Sequence, residues 1–295
     1  MKKILILGGT TFDHIVTLDK FPDPIPKTIH TAPFHEAAGS TGAGKALCLT
    51  KLGVPNVLHS IVGDDIWGKK IISYLSAQKV DFIYDIDPKG TERHFNVMNA
   101  AGERISMFIT QSSETLSINL ALIEEKIKWA DIVVLNIIPY CKLLIPLLKK
   151  YDKPVWTDLH DYDEGNPYHD AFIDAAQHIF LSSDNVRDYK SLMQQFIQDG
   201  KEFVVCTHGK NGATILTKDG LNIDQPAITT HKLVDANGAG DNFFGGFLYA
   251  FIQNKSISDC MKYATICGSY CIQSKELVHE NLSAAAIEKD LTNWK

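Results

Sequence analysis

The sequence predicts an α/β protein, with a doubly wound, mostly parallel sheet, helices on both faces and a small β-sheet lid. Three observations predict this fold class. Short apolar runs rich in β-branched residues alternate with helix-length amphipathic segments, polar clusters containing glycine follow some of these runs, and two segments interrupt the alternation. Because consecutive parallel strands need a long crossover connection, the alternation favours a parallel sheet covered by helices.

The elements of the main sheet follow from the positions of the apolar runs. The predicted strands are residues 3–7, 57–62, 132–135, 155–158, 178–181 and 203–207. The predicted helices are residues 42–51, 67–78, 119–129, 184–198, 239–253 and 256–274. Ser117 and Ser183 stand where N-caps are expected, since a hydroxyl there can accept a hydrogen bond from the first helical turn. We therefore expect one domain over residues 1–295.

Two segments break the alternation and predict the lid, approximately at residues 14–36 and 91–110. The first is rich in proline, and the second contains two strand-like runs with a hairpin turn expected at residues 100–103. Together they predict a small antiparallel sheet that projects from the α/β body. An exposed edge strand of this sheet could pair with a second copy of the chain, which would make a homodimer.

Composition excludes several classes of protein. The 295 residues carry 29 Lys and Arg against 35 Asp and Glu, a net charge of −6, so neither nucleic acid nor an anionic membrane is expected as a partner. No apolar run is long enough to span a bilayer. The six cysteines form no C-x-x-C pair, so we expect buried thiols in a reducing, cytoplasmic compartment rather than a redox or zinc site.

The strongest chemical motif is the stretch 235–241, read Asp-Ala-Asn-Gly-Ala-Gly-Asp, at the start of a predicted helix and after a β-like run at 228–234. The amides of Gly238, Ala239 and Gly240 would be unsatisfied donors at a helix N-terminus, which suits a phosphoryl group that gains charge. Asp241 in the first turn can accept the proton of an attacking hydroxyl. The alternative interpretation is a tight turn with a helix-capping acid.

A second small-residue cluster runs from Gly39 to Ala46. It has the G-x-x-x-x-G-K pattern of a P-loop, with Lys45 as the lysine, but Ala46 stands where a hydroxyl should bind magnesium. A P-loop NTPase therefore remains the less favoured hypothesis. We prefer a turn leading into a helix, where a neutral ligand such as a sugar would meet exposed amides and the hydroxyls of Ser40 and Thr41.

Further polar clusters follow apolar strands, where ligands bind in open α/β sheets. Asp13 comes after the first strand and could bind a pair of polyol hydroxyls, although a loop or capping role is the alternative. Asp158 ends another strand and could contact substrate. The stretch 207–212 contains Gly209 and Gly212 and suits either a nucleotide or a hairpin turn. The polar stretch 158–164 has metal-ligand residue types, but a solvated loop is preferred there.

Taken together, these clusters resemble the ribokinase (PfkB-type) family of carbohydrate and nucleoside kinases. The stretch 235–241 is similar to the family's D-T-x-G-A-G-D signature, with Ala236 in place of Thr. The stretch 207–212 resembles the T-x-G-x-x-G nucleotide loop, and 39–53 resembles the N-terminal glycine signature. Thr11 to Asp13 matches the N-x-D sugar motif, with Thr for Asn. The resemblance implies a ribokinase-like fold and transfer of the γ-phosphate of ATP, with magnesium, to a primary alcohol.

The resemblance also implies roles for individual residues. Asp241 would be the general base, and the backbone of Gly238, Ala239 and Gly240 would be the anion hole. The residues implied for the acceptor are Asp13, Gly39, Ser40 and Gly44, to which the position of Asp158 at a strand end and the Thr41 hydroxyl add two further candidates. Those implied for the nucleotide are Thr207, Gly209, Gly212, Ser183 and Asn237. Asp184 would be the magnesium ligand, and Asp235 would lie beside a monovalent cation such as K⁺.

Departures from the family pattern leave the acceptor open. The Asn that contacts the sugar is replaced by Gly44, a frequent Glu is replaced by Asn136 or Ile137, and the N-x-x-E motif is reduced to Asp184 or Asp188. The favoured function is a small-molecule kinase acting on a sugar. The alternatives are a nucleoside (adenosine-like) kinase, which an apolar wall of lid residues would favour, and a catalytically silent member that senses a metabolite. The wall would be made of Phe12, Phe34, Phe95, Met98 and Phe108.

Overall fold

A computed structural model describes residues 1–100, 103–229, 233–292 and 294 of the chain. The strands are β1 (Ile4–Leu7), β2 (Thr11–Leu18), β3 (Phe34–Gly39), β4 (Asn56–Val62), β5 (Asp81–Ile86), β6 (Arg93–Asn99), β7 (Arg104–Thr110), β8 (Ile132–Asn136), β9 (Val155–Asp158), β10 (His178–Ser182), β11 (Phe203–Thr207), β12 (Ala213–Thr217) and β13 (Asn222–Gln225). The α-helices are α1 (Thr41–Lys51), α2 (Ile66–Ala77), α3 (Leu120–Trp129), α4 (Ile145–Tyr151), α5 (Asp170–Ala175), α6 (Tyr189–Gln198), α7 (Ala239–Ile252), α8 (Ile257–Cys271) and α9 (Ala284–Thr292). Residues 139–144 and 209–211 form 3₁₀ helices.

The main sheet has the order β13-β12-β11-β10-β9-β8-β1-β4-β5 within the described residues. In this sheet, β11, β10, β9, β8, β1, β4 and β5 pair in parallel with their neighbours. Strands β12 and β13 add an antiparallel hairpin at the β11 edge. All six predicted strands are present, so the predicted doubly wound α/β class is confirmed. The strand order reverses between β1 and β8, and the crevice at such a reversal is the usual ligand site of open α/β sheets.

Two apolar cores cover the two faces of this sheet, because side chains alternate along a strand. In β1, Ile4 and Ile6 belong to one core, while Leu5 and Leu7 belong to the other. The first core also contains side chains of α1, α2, α7 and α8, and the second contains side chains of α3 to α6. This arrangement places the N-termini of α1 and α7 on the same face.

The smaller sheet has the order β3-β2-β6-β7. The expectation of a purely antiparallel sheet is wrong for one pair, since β2 and β6 are parallel. These two strands are joined through elements of the α/β body rather than by a hairpin, so no short turn imposes the antiparallel direction. The predicted turn at 100–103 includes residues 101 and 102, which lie outside the described residues.

Two helix starts differ from the prediction. Asn119 caps α3 by accepting from the Leu122 amide, and Asp188 caps α6 by accepting from the Ser191 amide, so neither Ser117 nor Ser183 is an N-cap. Helix α6 therefore begins five residues later than predicted. The reason is that the preceding residues form a loop at the end of β10, and Asp188 supplies a carboxylate acceptor at its end.

The cysteines and the helices agree with two further expectations. All six cysteines are free and buried, as predicted for small apolar residues. Among the helices in the described part of the chain, none is long and apolar enough to cross a membrane.

Candidate active site

The carboxyl ends of four neighbouring parallel strands carry polar residues along one edge of the sheet. They are Asn136 in β8, Asp158 in β9, Ser182 in β10 and Thr207 in β11. Backbone hydrogen bonds join the loops that follow, with the Ser182 amide 2.6 Å from the carbonyl oxygen of His160 and the Ser183 amide 2.9 Å from that of Thr207. Parallel pairing thus gathers residues that are far apart in the sequence at one sheet edge.

The start of α7 presents the glycine-rich stretch as predicted, with one correction. Gly238 is the N-cap with a φ of 79°, a left-handed conformation that disfavours a side chain. Among the described residues, the amides of Gly238 and Gly240 have no hydrogen-bond acceptor, but the amide of Ala239 donates to the carbonyl of Ala236 at 3.2 Å. The predicted anion hole therefore loses Ala239, because its amide closes the turn that precedes the helix. The predicted strand 228–234 includes residues 230–232, which lie outside the described residues.

Asn242 fixes this turn against the C-terminal part of the chain. Its side-chain amide is fully buried and donates to the carbonyls of Gly238 at 2.8 Å and Leu277 at 2.7 Å. These two bonds connect the N-terminus of α7 to the segment that follows α8. Asn242 thus ties the glycine turn to the C-terminal part of the chain.

The Asp241 carboxylate lies in the first turn of α7, where it contacts α1. Its Oδ1 lies 2.5 Å from the Nζ of Lys45, and the same ammonium lies 3.0 Å from Oδ2 of Asp158. A Cβ added to Gly44 would meet the Asp241 side chain at 2.8 Å, so glycine at this position permits the close approach. The structure therefore brings together Gly44, Asp158 and Asp241, three residues that were predicted separately.

The environment of Lys45 and the position of β3 contradict the P-loop hypothesis. The strand before the cluster, β3, belongs to the small sheet, and Lys45 is fully buried in contact with two carboxylates. A P-loop needs a strand of the main parallel sheet before it and a lysine that reaches bound phosphates. Neither condition is met.

The charges in this cluster shift one another's pKa values. Burial alone would lower the pKa of Lys45, but the carboxylates of Asp158 and Asp241 outweigh it and raise that pKa above its ordinary value. Burial would raise the pKa of Asp158, but the neighbouring His160 and Lys45 lower it to about 2. Both residues are therefore charged at neutral pH.

A second polar cluster lies where the small sheet meets the N-terminus of α1. The buried Asp13 accepts a hydrogen bond from the Thr11 hydroxyl at 2.7 Å, and His94 Nδ1 lies 3.7 Å from the same carboxylate oxygen. The other nitrogen of His94 lies 3.1 Å from Glu92. A Cβ added to Gly39 would lie 2.3 Å from Asp13 Oδ2, which explains the glycine. Burial raises the pKa of Asp13, although His94 opposes this shift.

Ser40 and Thr41 connect the two clusters through the start of α1. Ser40 is the N-cap of α1 with a φ of 76°, an uncommon value for a residue with a side chain, and its own side chain makes no capping hydrogen bond. The buried hydroxyl oxygen of Thr41 has no hydrogen-bond partner within the described chain. Asn136, one of the two residues that could replace the family's Glu, donates to the Leu7 carbonyl at 3.0 Å.

The predicted nucleotide residues gather at the ends of β10 and β11. The ring of His208 bridges Ser183 and Thr214, with both nitrogen–oxygen distances 3.0 Å. Burial lowers the pKa of His208, so the ring is neutral at pH 7. Gly209 lies in a 3₁₀ turn, and a Cβ at Gly212 would lie 2.1 Å from the Gln225 carbonyl. Gly212 is thus required by the close approach of the end of β13. The stretch 207–212 can still be both a hairpin turn and a nucleotide loop.

The predicted cation residues differ in their surroundings. The Asp188 carboxylate is engaged as the N-cap of α6, while that of Asp184 is exposed and accepts no hydrogen bond from the described residues. One exposed carboxylate fits magnesium, which usually keeps water and phosphate oxygens as its other ligands. Asp235 is buried and accepts from the Asn237 amide at 2.8 Å, and burial raises its pKa. Asp158, His160 and Asp241 also lie close enough to share a cation, but the Lys45 ammonium already lies between the two carboxylates.

Several residues of the site were missed or misassigned by sequence reasoning. Lys45 was considered only as a P-loop lysine, Asn242 and Arg104 were given no role, and His94 was weighed with Glu92 and Arg93 as a contact for an acidic sugar against a solvated lid charge. Arg104, at the start of β7, donates to the Asn237 side chain at 2.7 Å and so connects the small sheet to the glycine turn. The signal for Lys45 was available, since it lies within an otherwise small and apolar helical segment. The signal for Arg104 was not, because only the tertiary structure brings residues 104 and 237 together.

Comparisons with known proteins relate the chain to sugar and nucleoside kinases. The model for the pfkB family carbohydrate kinase matches residues 170–283. The acarbose 7(IV)-phosphotransferase of Actinoplanes sp. is 28% identical over 271 residues, covering 90% of this chain and 91% of that protein. The nucleoside kinase of Methanocaldococcus jannaschii is 24% identical over 295 residues, covering 93% and 92%. The solved structure of a microbiome-derived acarbose kinase superimposes with a TM-score of 0.88 at 25% identity and covers 99% of both chains.

Proposed function

We propose that the chain is a member of the pfkB family of carbohydrate kinases, whose model matches residues 170–283, and that it transfers the γ-phosphate of ATP to a primary hydroxyl group of a sugar. The observation that carries this proposal is the geometry at the start of α7. The Asp241 carboxylate and the unpaired amides of Gly238 and Gly240 belong to the same helical turn. A base and an anion hole in one rigid element suit in-line phosphoryl transfer.

The proposed reaction uses these groups in one displacement. The acceptor hydroxyl loses its proton to the Asp241 carboxylate, and its oxygen forms a bond to the γ-phosphorus while the bond to the β-phosphate oxygen breaks. ADP leaves, and the proton on Asp241 passes to solvent as the products are released. The Gly238 and Gly240 amides donate hydrogen bonds to the phosphoryl oxygens, whose charge is stabilised best by donors already in place.

The nucleotide and its magnesium ion would bind along the edge formed by β10 and β11. Ser183, Thr207 and Gly209 would contact the nucleotide, and Asp184 would hold the ion together with phosphate oxygens. Magnesium supplies charge neutralisation on the triphosphate. Asp235 is the proposed neighbour of a monovalent cation, since a buried carboxylate with a raised pKa is stabilised by a nearby positive charge.

A polar acceptor fits the cleft better than a nucleoside base does. Asp13, Thr11 and His94 offer hydrogen-bonding groups that match neighbouring hydroxyls of a sugar. Of the apolar wall expected for a base, Phe108 packs on His94 at a ring distance of 4.1 Å, while Phe12 packs on Trp67 at 5.1 Å and Phe34 is more than half exposed. The nucleoside kinase relative keeps nucleosides as the second class to test.

Substitution of the base tests the proposed function. Wild-type protein is incubated with ATP, magnesium and a panel of monosaccharides, oligosaccharides including acarbose, and nucleosides, and ADP formation is followed. Asp241→Asn is expected to lower kcat by about 100-fold or more with the best acceptor, because it removes the proton acceptor. Asp199→Asn, an exposed carboxylate at the end of α6, is the matched control and should keep wild-type turnover.

Two outcomes would contradict the proposal. Near-normal turnover by Asp241→Asn would remove Asp241 as the base. Absence of acceptor-dependent ADP formation across the whole panel, with acceptor binding still seen by thermal shift, would favour the catalytically silent metabolite sensor. A ligand at 100 times its Kd stabilises the folded state by about 2.7 kcal/mol, which such an assay detects easily.

A further inference from the structure

The Lys45 ammonium is a buried charge that the proposed displacement does not use. It lies on α1, is fully buried, and contacts Asp241 at 2.5 Å and Asp158 at 3.0 Å. Its Nζ also lies 5.0 Å from the centre of the Phe244 ring. Burying an ammonium is costly unless its partners are well placed, so this contact is a specific feature of the chain.

Gly44 makes this contact possible from the neighbouring position. The space that its missing side chain leaves is filled by Asp241, whose Cβ and Oδ2 lie 2.8 Å from the place of an added Cβ. The carboxylate therefore lies directly against the backbone of α1, and Lys45 reaches it from the next residue. The pair Gly44 and Lys45 acts as one unit: the glycine admits the carboxylate and the lysine holds it.

The ammonium also separates two like charges. The ligand atoms of Asp158, His160 and Asp241 lie within 4.8 Å of one another, and Lys45 contacts both carboxylates. Thiols from α1 and α8 also lie near this cluster. Among the described residues, the titratable groups found near Asp241 are Lys45 and Cys48 from α1, Asp158 and His160 from β9 and its loop, and Cys271 from α8. Within this set, Lys45 is the cation that touches Asp241.

We propose that Lys45 is a positioning residue for the reaction, holding the Asp241 carboxylate in one orientation and keeping it ionised beside Asp158. The proposal rests on the kinase function and on Asp241 as the base. Without the ammonium, two buried carboxylates would face each other. In such a pair, the like charges raise the pKa of one carboxyl group, which then stays protonated at a higher pH. A base that is protonated or rotated cannot accept the proton of the acceptor.

The test compares pH–rate profiles of the wild type and Lys45→Met, which is one atom shorter than lysine, keeps an unbranched apolar side chain and removes the charge. We expect kcat to fall by about 100-fold, the acceptor KM to change by less than threefold, and the acid limb of kcat to move up by at least one pH unit. In Lys45→Met combined with Asp158→Asn, the facing carboxylate is gone, so the acid limb should return towards that of the wild type while kcat stays low. Lys51→Met at the end of the same helix is the control and should match the wild type.

The outcomes separate this inference from the proposed function. If Asp241→Asn is inactive while Lys45→Met keeps the wild-type kcat and acid limb, the inference is overturned and the kinase function stands. If Asp241→Asn is active, the function itself fails. If Lys45→Met does not fold, as judged by circular dichroism, Asp158→Asn provides the test, because it leaves Lys45 to Asp241 alone. Its acid limb should move to lower pH, and an unchanged or higher limb would overturn the inference.

Discussion

Adding one methyl group at Gly44 would move the carboxylate that we assign as the base. In Gly44→Ala the new Cβ would lie 2.8 Å from Cβ and Oδ2 of Asp241 and 3.0 Å from its Cγ. Carbon atoms do not approach this closely, and the Cβ of Asp241 cannot turn aside as a side-chain end can. Either the Asp241 side chain or the contact between α1 and α7 must therefore shift.

The magnitude follows from two opposing terms. Alanine in a helix interior is favoured over glycine by about 1 kcal/mol, while overpacking a close-packed contact costs about 1–3 kcal/mol. The net loss in the free energy of unfolding is therefore between about 0 and 2 kcal/mol. The effect on activity is expected to be larger, since a shift of about 1 Å in a reacting group can lower the rate about 100-fold.

The assay measures kcat by ADP formation and the free energy of unfolding by urea titration. Gly268→Ala is the matched control, because this glycine lies in α8 and its added Cβ would have its nearest neighbour at 3.5 Å, an ordinary contact. It should keep wild-type kcat and gain stability. Wild-type kcat in Gly44→Ala would refute the claim that the space at Gly44 positions the base.

Two further predictions concern stability and assembly. Burial lowers the pKa of His178 from 6.5 to about 4. As the pH falls from 6.5 towards 4, His178 is therefore protonated in the unfolded chain but not in the folded one, and the free energy of unfolding decreases. His178→Phe keeps an aromatic ring against Phe203 but cannot be protonated. The free energy of unfolding of this variant, measured by urea titration, should fall by about 2 kcal/mol less than that of the wild type between pH 7 and pH 5. An equal fall in both proteins would contradict the prediction. Strand β7 is an edge of the small sheet with Ile105, Met107 and Ile109 nearly half exposed, so we expect a dimer through this edge in light scattering. Met107→Lys should yield monomers, and a monomeric wild type or a dimeric variant would rule out this interface.

The parallel core was predictable because its signals are local. Strands β1, β4, β8, β9, β10 and β11 of the main sheet are mostly apolar and almost entirely buried, as burial on both faces requires. Strand β5 was missed because it is an edge strand without a fully buried residue, and Asp81 and Asp85 interrupt its apolar pattern. The start of α6 was misplaced because Ser183 and Asp188 are both good caps, and only the path of the loop after β10 selects Asp188.

The sequence alone determined the α/β class, the glycine turn that begins α7, and Asp241 in its first turn, because apolar periodicity and helix-start chemistry act over a few residues. Only the tertiary structure decided what Asp241 contacts. Lys45 and Asp241 are 196 residues apart, and their contact depends on how α1 packs against α7 at Gly44. A lysine in a small-residue helix has the same local pattern whether it faces phosphate, solvent or a carboxylate, so its partner is set by packing between distant elements.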